Sequence, residues 1–167
     1  LGNGVGRASG GMFAESLKIG RPVSTASDAG TPAEPDALML KPEETAIVYP
    51  PVIDNRNIMA AHLLQKWLRK AAGVDAGFEI VTEDLLPDAD RRVVLALGRT
   101  RFGKDVPTGD LGPAGYAMQR LGRAVVIKGA DPEGTYCGTV DFLDRFAGVR
   151  FYMPTDLFTS VPHAQVV

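Results

Sequence analysis

Apolar and polar positions change period several times along this chain, and each change marks an element. Thr45–Pro50 ("TAIVYP") is a short β-rich run ended by Pro50-Pro51, as expected of a strand followed by a loop. From Asp54 or Asn55 the period lengthens. Ile58, Ala61, Leu64 and Leu68 recur at helical spacing, and Leu63, Trp67 and Ala71 widen the stripe. Lys66, Arg69 and Lys70 lie toward the end of this segment, where cations complement the helix dipole, and Gly73 suits the position after it. Phe78–Thr82 alternates and predicts a strand. Val93–Gly98 ("VVLALG") is apolar on both faces, which predicts a central strand. Arg99–Pro113 carries Gly103, Pro107, Gly109, Gly112 and Pro113 and predicts a long loop.

Gly115–Gly129 holds two β-prone runs around Leu121-Gly122, a hairpin pattern with glycine in the turn. A second helix then starts sharply. Asp131 suits the N-cap, Pro132 the first helical position, and Glu133 the first turn. Tyr136, Val140, Leu143 and Ala147 form a stripe, and Gly148 marks the stop. Gly134 and Gly138 lie one turn apart, a spacing that predicts close approach of this helix to the sheet. Val149–Met153 predicts a last strand. The order is β-α-β-β, a β-hairpin, then α-β. It specifies an α/β fold in two or three layers, a mixed β-sheet sandwiched with helices.

The first 44 residues differ from the rest. They are rich in Gly, Ser, Ala, Thr and Pro, and Ser24–Ala37 has no apolar period. Such a segment buries too little to offset its ordering entropy, so residues 1–44 are expected to form a flexible or extended arm. Met12–Ile19 offers at most a helical turn or two. The domain is expected over 45–162, with 163–167 as a tail or the start of a linker.

Composition narrows the function classes. The chain has 167 residues, 45% of them hydrophobic, and a net charge of −2. That balance lacks the basic stripe of a nucleic-acid binder. No apolar run approaches the roughly 20 residues that cross a bilayer. Cys137 is the single cysteine, so no internal disulfide forms. No signal-peptide pattern is visible, and the chain opens on Leu1 rather than Met, as expected of a processed or trimmed polypeptide.

Candidate chemistry is sparse. Gly98–Lys104 matches the first seven positions of a phosphate-binding P-loop and follows a strand. The magnesium-ligating Ser or Thr is replaced by Asp105, and Pro107, Gly109 and Gly112 stand where a helix is needed. Gly2, Gly4 and Gly6 miss the dinucleotide-binding spacing and lack a preceding strand. His62 and His163 are the only histidines, and no Cys/His cluster exists, so neither a metal nor a cofactor is expected. Cys137 lies in the second helix with no histidine placed to activate it, so it reads as a small core hydrophobe. The acidic pairs Glu83/Asp84, Asp88/Asp90, Asp105/Asp110 and Asp141/Asp144 cannot be placed across a cleft from sequence. Arg99, Arg101, Tyr116 and Tyr152 sit near strand ends. Loops at the carboxyl ends of strands bind ligands in open α/β sheets, so these four are the candidate ligand-binding residues.

The region from Thr45 to Pro162 resembles the N-terminal domain of glycoside hydrolase family 67, the α-glucuronidases, and of related bacterial secreted proteins. The residues that carry the resemblance are Ala60–Gly73 ("AAHLLQKWLRKAAG"), Val93–Thr100 ("VVLALGRT"), Gly115–Gln119 ("GYAMQ") and Ile127–Pro154, followed by Val161-Pro162. Cys137 interrupts a Tyr-Gly pair that is usual there. A similar domain precedes the catalytic barrel of β-hexosaminidases. The resemblance implies a non-catalytic accessory domain whose partner is a downstream catalytic barrel, with the catalytic carboxylates in that barrel. It also implies an extracytoplasmic setting and oligosaccharide or polysaccharide as a further partner. A stand-alone carbohydrate-binding or interaction module, with Trp67 as the aromatic on offer, is the alternative. A small enzyme using Gly98–Lys104 on a phosphorylated ligand is the third reading.

Overall fold

A computed structural model describes residues 17–19, 38–52, 54–87, 92–152 and 159–161. The central feature is a five-stranded sheet built from β3 (Thr45–Tyr49), β4 (Glu79–Thr82), β5 (Val93–Leu97), β6 (Tyr116–Leu121) and β7 (Ala124–Gly129). Its order is β4-β3-β5-β7-β6, with β6 antiparallel to β7 and the remaining pairs parallel. β5 is the middle strand and all five of its residues are buried. Continuous apolar sequence is what a strand covered on both faces requires.

The sheet alternates cleanly. Ile47, Leu95, Val125 and Ile127 face α1 (Asn55–Ala72) and α2 (Pro132–Phe146), and they share one core with Leu64, Trp67, Leu68, Phe142 and Leu143. The smaller Ala46, Val48, Val94, Ala96 and Val126 face the other way, against Leu86, Phe102 and Val106. Both helices therefore lie on one face of the mixed sheet. The second face is covered by 3₁₀ turns at Glu83–Leu85 and Arg101–Gly103 and the loop after them. Small side chains on that face let thin, irregular cover pack close.

The helix boundaries follow their capping chemistry. The Asp54 carboxylate accepts from the amides of Arg56 and Asn57, at 2.8 and 3.2 Å. Gly73 ends α1 at φ 68° and donates back to Arg69 and Lys70. In α2 the Asp131 carboxylate accepts from Gly134 N at 2.7 Å, and Pro132 occupies the first turn, as the sequence predicts. The expected close approach also holds. A Cβ on Gly138 would lie 2.7 Å from Ile127 Cγ2 and 2.9 Å from the Tyr116 ring.

Three features depart from the sequence reading. Ordered structure reaches upstream of Thr45: β1 (Leu17–Ile19) pairs antiparallel with β2 (Leu38–Leu40), and Leu38 and Leu40 enter the main core. The Leu-Met-Leu run is short, and the polar composition around it concealed its alternation. Leu17–Ile19 is strand and not helix, while Met12 to Glu15 and most of the remaining arm lie outside the described residues. Next, the buried face of α2 is Gly134, Thr135, Gly138, Thr139, Phe142 and Leu143, turned away from the Tyr136/Val140 stripe. Glycine and threonine allow the contact that bulky residues would block. Last, the final strand shrinks to β8 (Arg150–Phe151), which pairs with β9 (Thr159–Ser160) in a separate ribbon and does not extend the main sheet. Met153 lies outside the described residues.

Candidate functional site

The structure divides the four sequence candidates between two places. Arg99 and Arg101 border a shallow concavity with Glu83, Lys104 and Lys128. Tyr116 and Tyr152 border another, with Cys137, Asp141, Asp144 and Phe151. Side-chain bonds show what most of these residues do. The backbone amide of Arg101 donates to the Glu83 carboxylate at 2.7 Å, and its guanidinium donates to Leu86 O at 2.9 Å. Lys128 Nζ donates to the carbonyls of Gly103 and Val106, at 2.9 and 2.7 Å. These bonds tie the thin cover onto the sheet.

The P-loop-like segment is occupied by the same bonding. The amides of Thr100, Gly103, Lys104 and Val106 donate to carbonyls within the loop or just before it, and that of Arg101 donates to Glu83. A phosphate cradle needs such amides free and convergent. Here they close 3₁₀ turns.

The tyrosine concavity has its own electrostatics. Burial, followed by a hydrogen bond to Asp141, pushes the Tyr116 phenol up to about 12. Asp141 also receives Arg145 Nε at 2.7 Å, which raises the arginine further. Asp144 pairs with Arg150 at 2.8 Å. Cys137 is half-buried at this surface and does not fill the core. Trp67 is 2% exposed and meets Phe151 edge-on at 5.6 Å, so it is a core residue and no platform. His62 is exposed on α1. Asp88, Asp90 and His163 lie outside the described residues. Among the described residues no group of three His, Cys, Asp or Glu is arranged to hold a metal ion, and no helix is long and apolar enough to cross a membrane.

A third concavity was not anticipated. It opens where the parallel strands β3, β5 and β7 end, and Pro50, Gly98 and Ala130 directly follow those strands on its wall. The starts of both helices complete it, through Asp54, Asn57, Asp131, Pro132 and Thr135. Its volume is about 430 Å³. Arg99 reaches this site too, donating to Ala130 O at 3.2 Å. Hydrogen bonds from Gly134 N and Ala114 N hold Asp131 below the usual carboxylate range.

Asn57 is the unusual member. It is 8% exposed, and its side-chain oxygen has no hydrogen-bond partner. An unmet buried acceptor costs about 1–3 kcal/mol. Gly98 sits against it at φ 71°, and a Cβ there would lie 3.1 Å from Asn57 Oδ1. A sequence signal existed. Asn57 lies four residues before Ala61 and seven before Leu64, so it is a polar residue on the apolar stripe.

Fold and site together define an α/β domain with a mixed sheet and a recess at the carboxyl edge of its parallel strands. No protein-family model matches the chain, and no curated protein matches it. A solved structure described as a GH138 enzyme targeting pectin rhamnogalacturonan II is similar at 15% identity and a TM-score of 0.39. The match covers 60% of this chain and 13% of that enzyme. A likeness of that size carries no argument. None of these comparisons returns the α-glucuronidase resemblance, which stays a proposal.

Proposed function

We propose that this chain is a non-catalytic N-terminal accessory domain of an extracytoplasmic carbohydrate-active protein, similar to the domain that precedes the barrel in glycoside hydrolase family 67. In this reading it supports the edge of a downstream catalytic domain. The observation that carries it is what the carboxylates do. Asp54 and Asp131 cap helices, Asp141 and Asp144 pair with Arg145 and Arg150, and Glu133 pairs with Arg56 at 2.7 Å. Glu79 pairs with Arg92, and Glu83 holds a loop amide. Glycoside hydrolysis needs two carboxyl groups facing one cleft, about 5–10 Å apart, one of them able to give up a proton. Carboxylates engaged in caps and ion pairs suit a scaffold.

The test is an assay of aryl-glycoside hydrolysis by this chain alone, beside a binding measurement with the polypeptide encoded downstream. Inactivity with measurable docking is expected. Robust hydrolysis by the isolated chain overturns the proposal.

One observation favours the interaction-module reading. Tyr152 is 71% exposed beside Phe151 and the Tyr116–Asp141 pair, an aromatic surface that a sugar ring or a neighbouring domain could cover. Tyr152→Ala weakening oligosaccharide binding by the isolated chain would support that reading over the first.

A further inference from the structure

Arg56, Arg92, Arg145 and Arg150 each stand against a carboxylate. The concavity bordered by Arg99, Arg101, Lys104 and Lys128 is built differently. Lys128 Nζ donates to the carbonyls of Gly103 and Val106, and Arg99 donates to that of Ala130. A carbonyl fixes a cation in place without cancelling its charge. Arg99, Lys104 and Lys128 form no ion pair among the described residues. Of the lining residues Glu83 is the one carboxylate, and its Oε1 already accepts from the Arg101 amide at 2.7 Å. Asp84 and Asp105, adjacent along the chain to Glu83 and Lys104, are exposed and stand outside the wall. The wall therefore carries a formal charge of +3, on a chain whose net charge is −2.

Charge and donor count narrow the ligand. Like charges around one concavity of about 460 Å³ repel, and an anion seated among them relieves that repulsion. The loop amides are closed in 3₁₀ turns, so binding falls to side chains. Arg99 keeps N–H groups beyond its bond to Ala130 O, and Lys128 keeps one of its three. The exposed Lys104 ammonium has no partner among the described residues. A neutral ligand gains nothing from the excess charge, and a single carboxylate leaves most of it unbalanced. A phosphate group is compact, approaches two negative charges near neutral pH and offers acceptor oxygens in several directions.

We propose that this concavity is a binding site for a phosphate group, free or as the ester of a small molecule, held by the side chains of Arg99, Lys104 and Lys128. Arg101 adds its charge while its guanidinium stays bonded to Leu86 O. No loop amide takes part, which separates the site from a P-loop. The inference stands whether or not the chain is an accessory domain. Hydrolysis of aryl-glycosides by the isolated chain would end the accessory-domain proposal and leave this one intact, and failure to bind phosphate would do the reverse.

The experiment is a titration of the ¹⁵N-labelled chain with inorganic phosphate, glycerol phosphate and, as neutral control, glycerol, followed by amide correlation spectra. It is run at about pH 8, where a phosphate ester is dianionic, and at constant ionic strength, because exposed charges are screened by salt. Both phosphates are expected to shift the backbone amides of Arg99, Arg101, Lys104 and Lys128, and glycerol is not. Equal affinity for the two marks a site for the free anion, tighter binding of the ester marks a site for a phosphorylated small molecule, and either supports the proposal. Lys104→Gln should weaken phosphate binding by about two- to fivefold and leave the melting temperature unchanged. Adding Arg99→Gln should bring the loss to about tenfold. Should the double variant fail to fold, Lys104→Gln alone carries the test. No shift with either phosphate, shifts that glycerol reproduces, or full affinity retained in the folded double variant would overturn the proposal.

Discussion

Replacing Gly134 with alanine sets two terms of opposite sign against each other. Helix propensity favours alanine by about 1 kcal/mol in a helix interior, and by less in a first turn. Packing opposes it. A Cβ on Gly134 would fall well inside the 3.0 Å that real Cβ atoms keep, and the obstacle is the Gly115 carbonyl oxygen. A backbone oxygen cannot rotate away as a side chain can. It is also the acceptor for Ala130 N at 2.8 Å, so displacing it strains the junction between β7 and α2. Overpacking costs about 1–3 kcal/mol, and a weakened hydrogen bond about 1 more. The net expectation is a loss of about 1–3 kcal/mol. At roughly 3–6 °C per kcal/mol for a domain of this size, the melting temperature should fall by about 3–18 °C. Thermal unfolding followed by Trp67 fluorescence and far-ultraviolet circular dichroism measures it. Gly109→Ala is the control, because nothing lies within 4 Å of a Cβ there. It should leave stability level or raise it by up to about 1 kcal/mol through the unfolded chain. A rise in melting temperature for Gly134→Ala would refute the claim that α2 sits against the β6 leader by virtue of its glycines.

Three further outcomes follow from the same geometry. Tyr116, with its phenol pushed from 10.0 to about 12, contributes stability that is complete below pH 10 and is lost as pH rises toward 12; Tyr116→Phe should remove the latest-titrating tyrosinate absorbance and flatten that alkaline limb. Asp131 has the opposite sign: its lowered pKa gives stability that is present above about pH 4 and lost as pH falls through the folded value, so Asp131→Ala should melt earlier at neutral pH and show a shallower acid limb. Leu40→Ala removes a fully buried side chain and should cost about 2–5 kcal/mol in urea unfolding, whereas a negligible cost would return residues 38–40 to the arm.

How much of this was legible in the sequence depends on which forces act locally. Caps were: Asp54, Asp131 and Gly73 act on neighbours within four residues, and each ends its helix as expected. The central strand was legible too, because burial on both faces leaves no polar alternation in Val93–Leu97. Leu38–Leu40 was not. Three residues are too few to show a period, and what orders them is contact with α1 and the sheet core, which composition does not report. The grouping of the four candidate site residues was not legible for a similar reason. Arg99, Arg101, Tyr116 and Tyr152 were chosen for standing near strand ends, but nearness along the chain does not say which side of the sheet a residue reaches. Glu83 and Leu86 claimed Arg101 for a structural tie, and Asp141 claimed Tyr116.

Asn57 shows the more useful rule. A polar side chain on an apolar stripe must find a partner or carry the cost of lacking one. Its neighbours Gly98 and Thr135 are small, so the fold leaves room beside it that larger residues would have closed. Thr135 meets its own need by accepting from Gly129 N at 3.1 Å, and Thr139 by donating to Thr135 O at 2.9 Å. The buried hydroxyls of Thr45 and Thr100, by contrast, have no hydrogen-bond partner among the described residues, as Asn57 Oδ1 has none. Asn57 Oδ1 can only accept, and Asp54 already holds the amides of Arg56 and Asn57 at the start of α1.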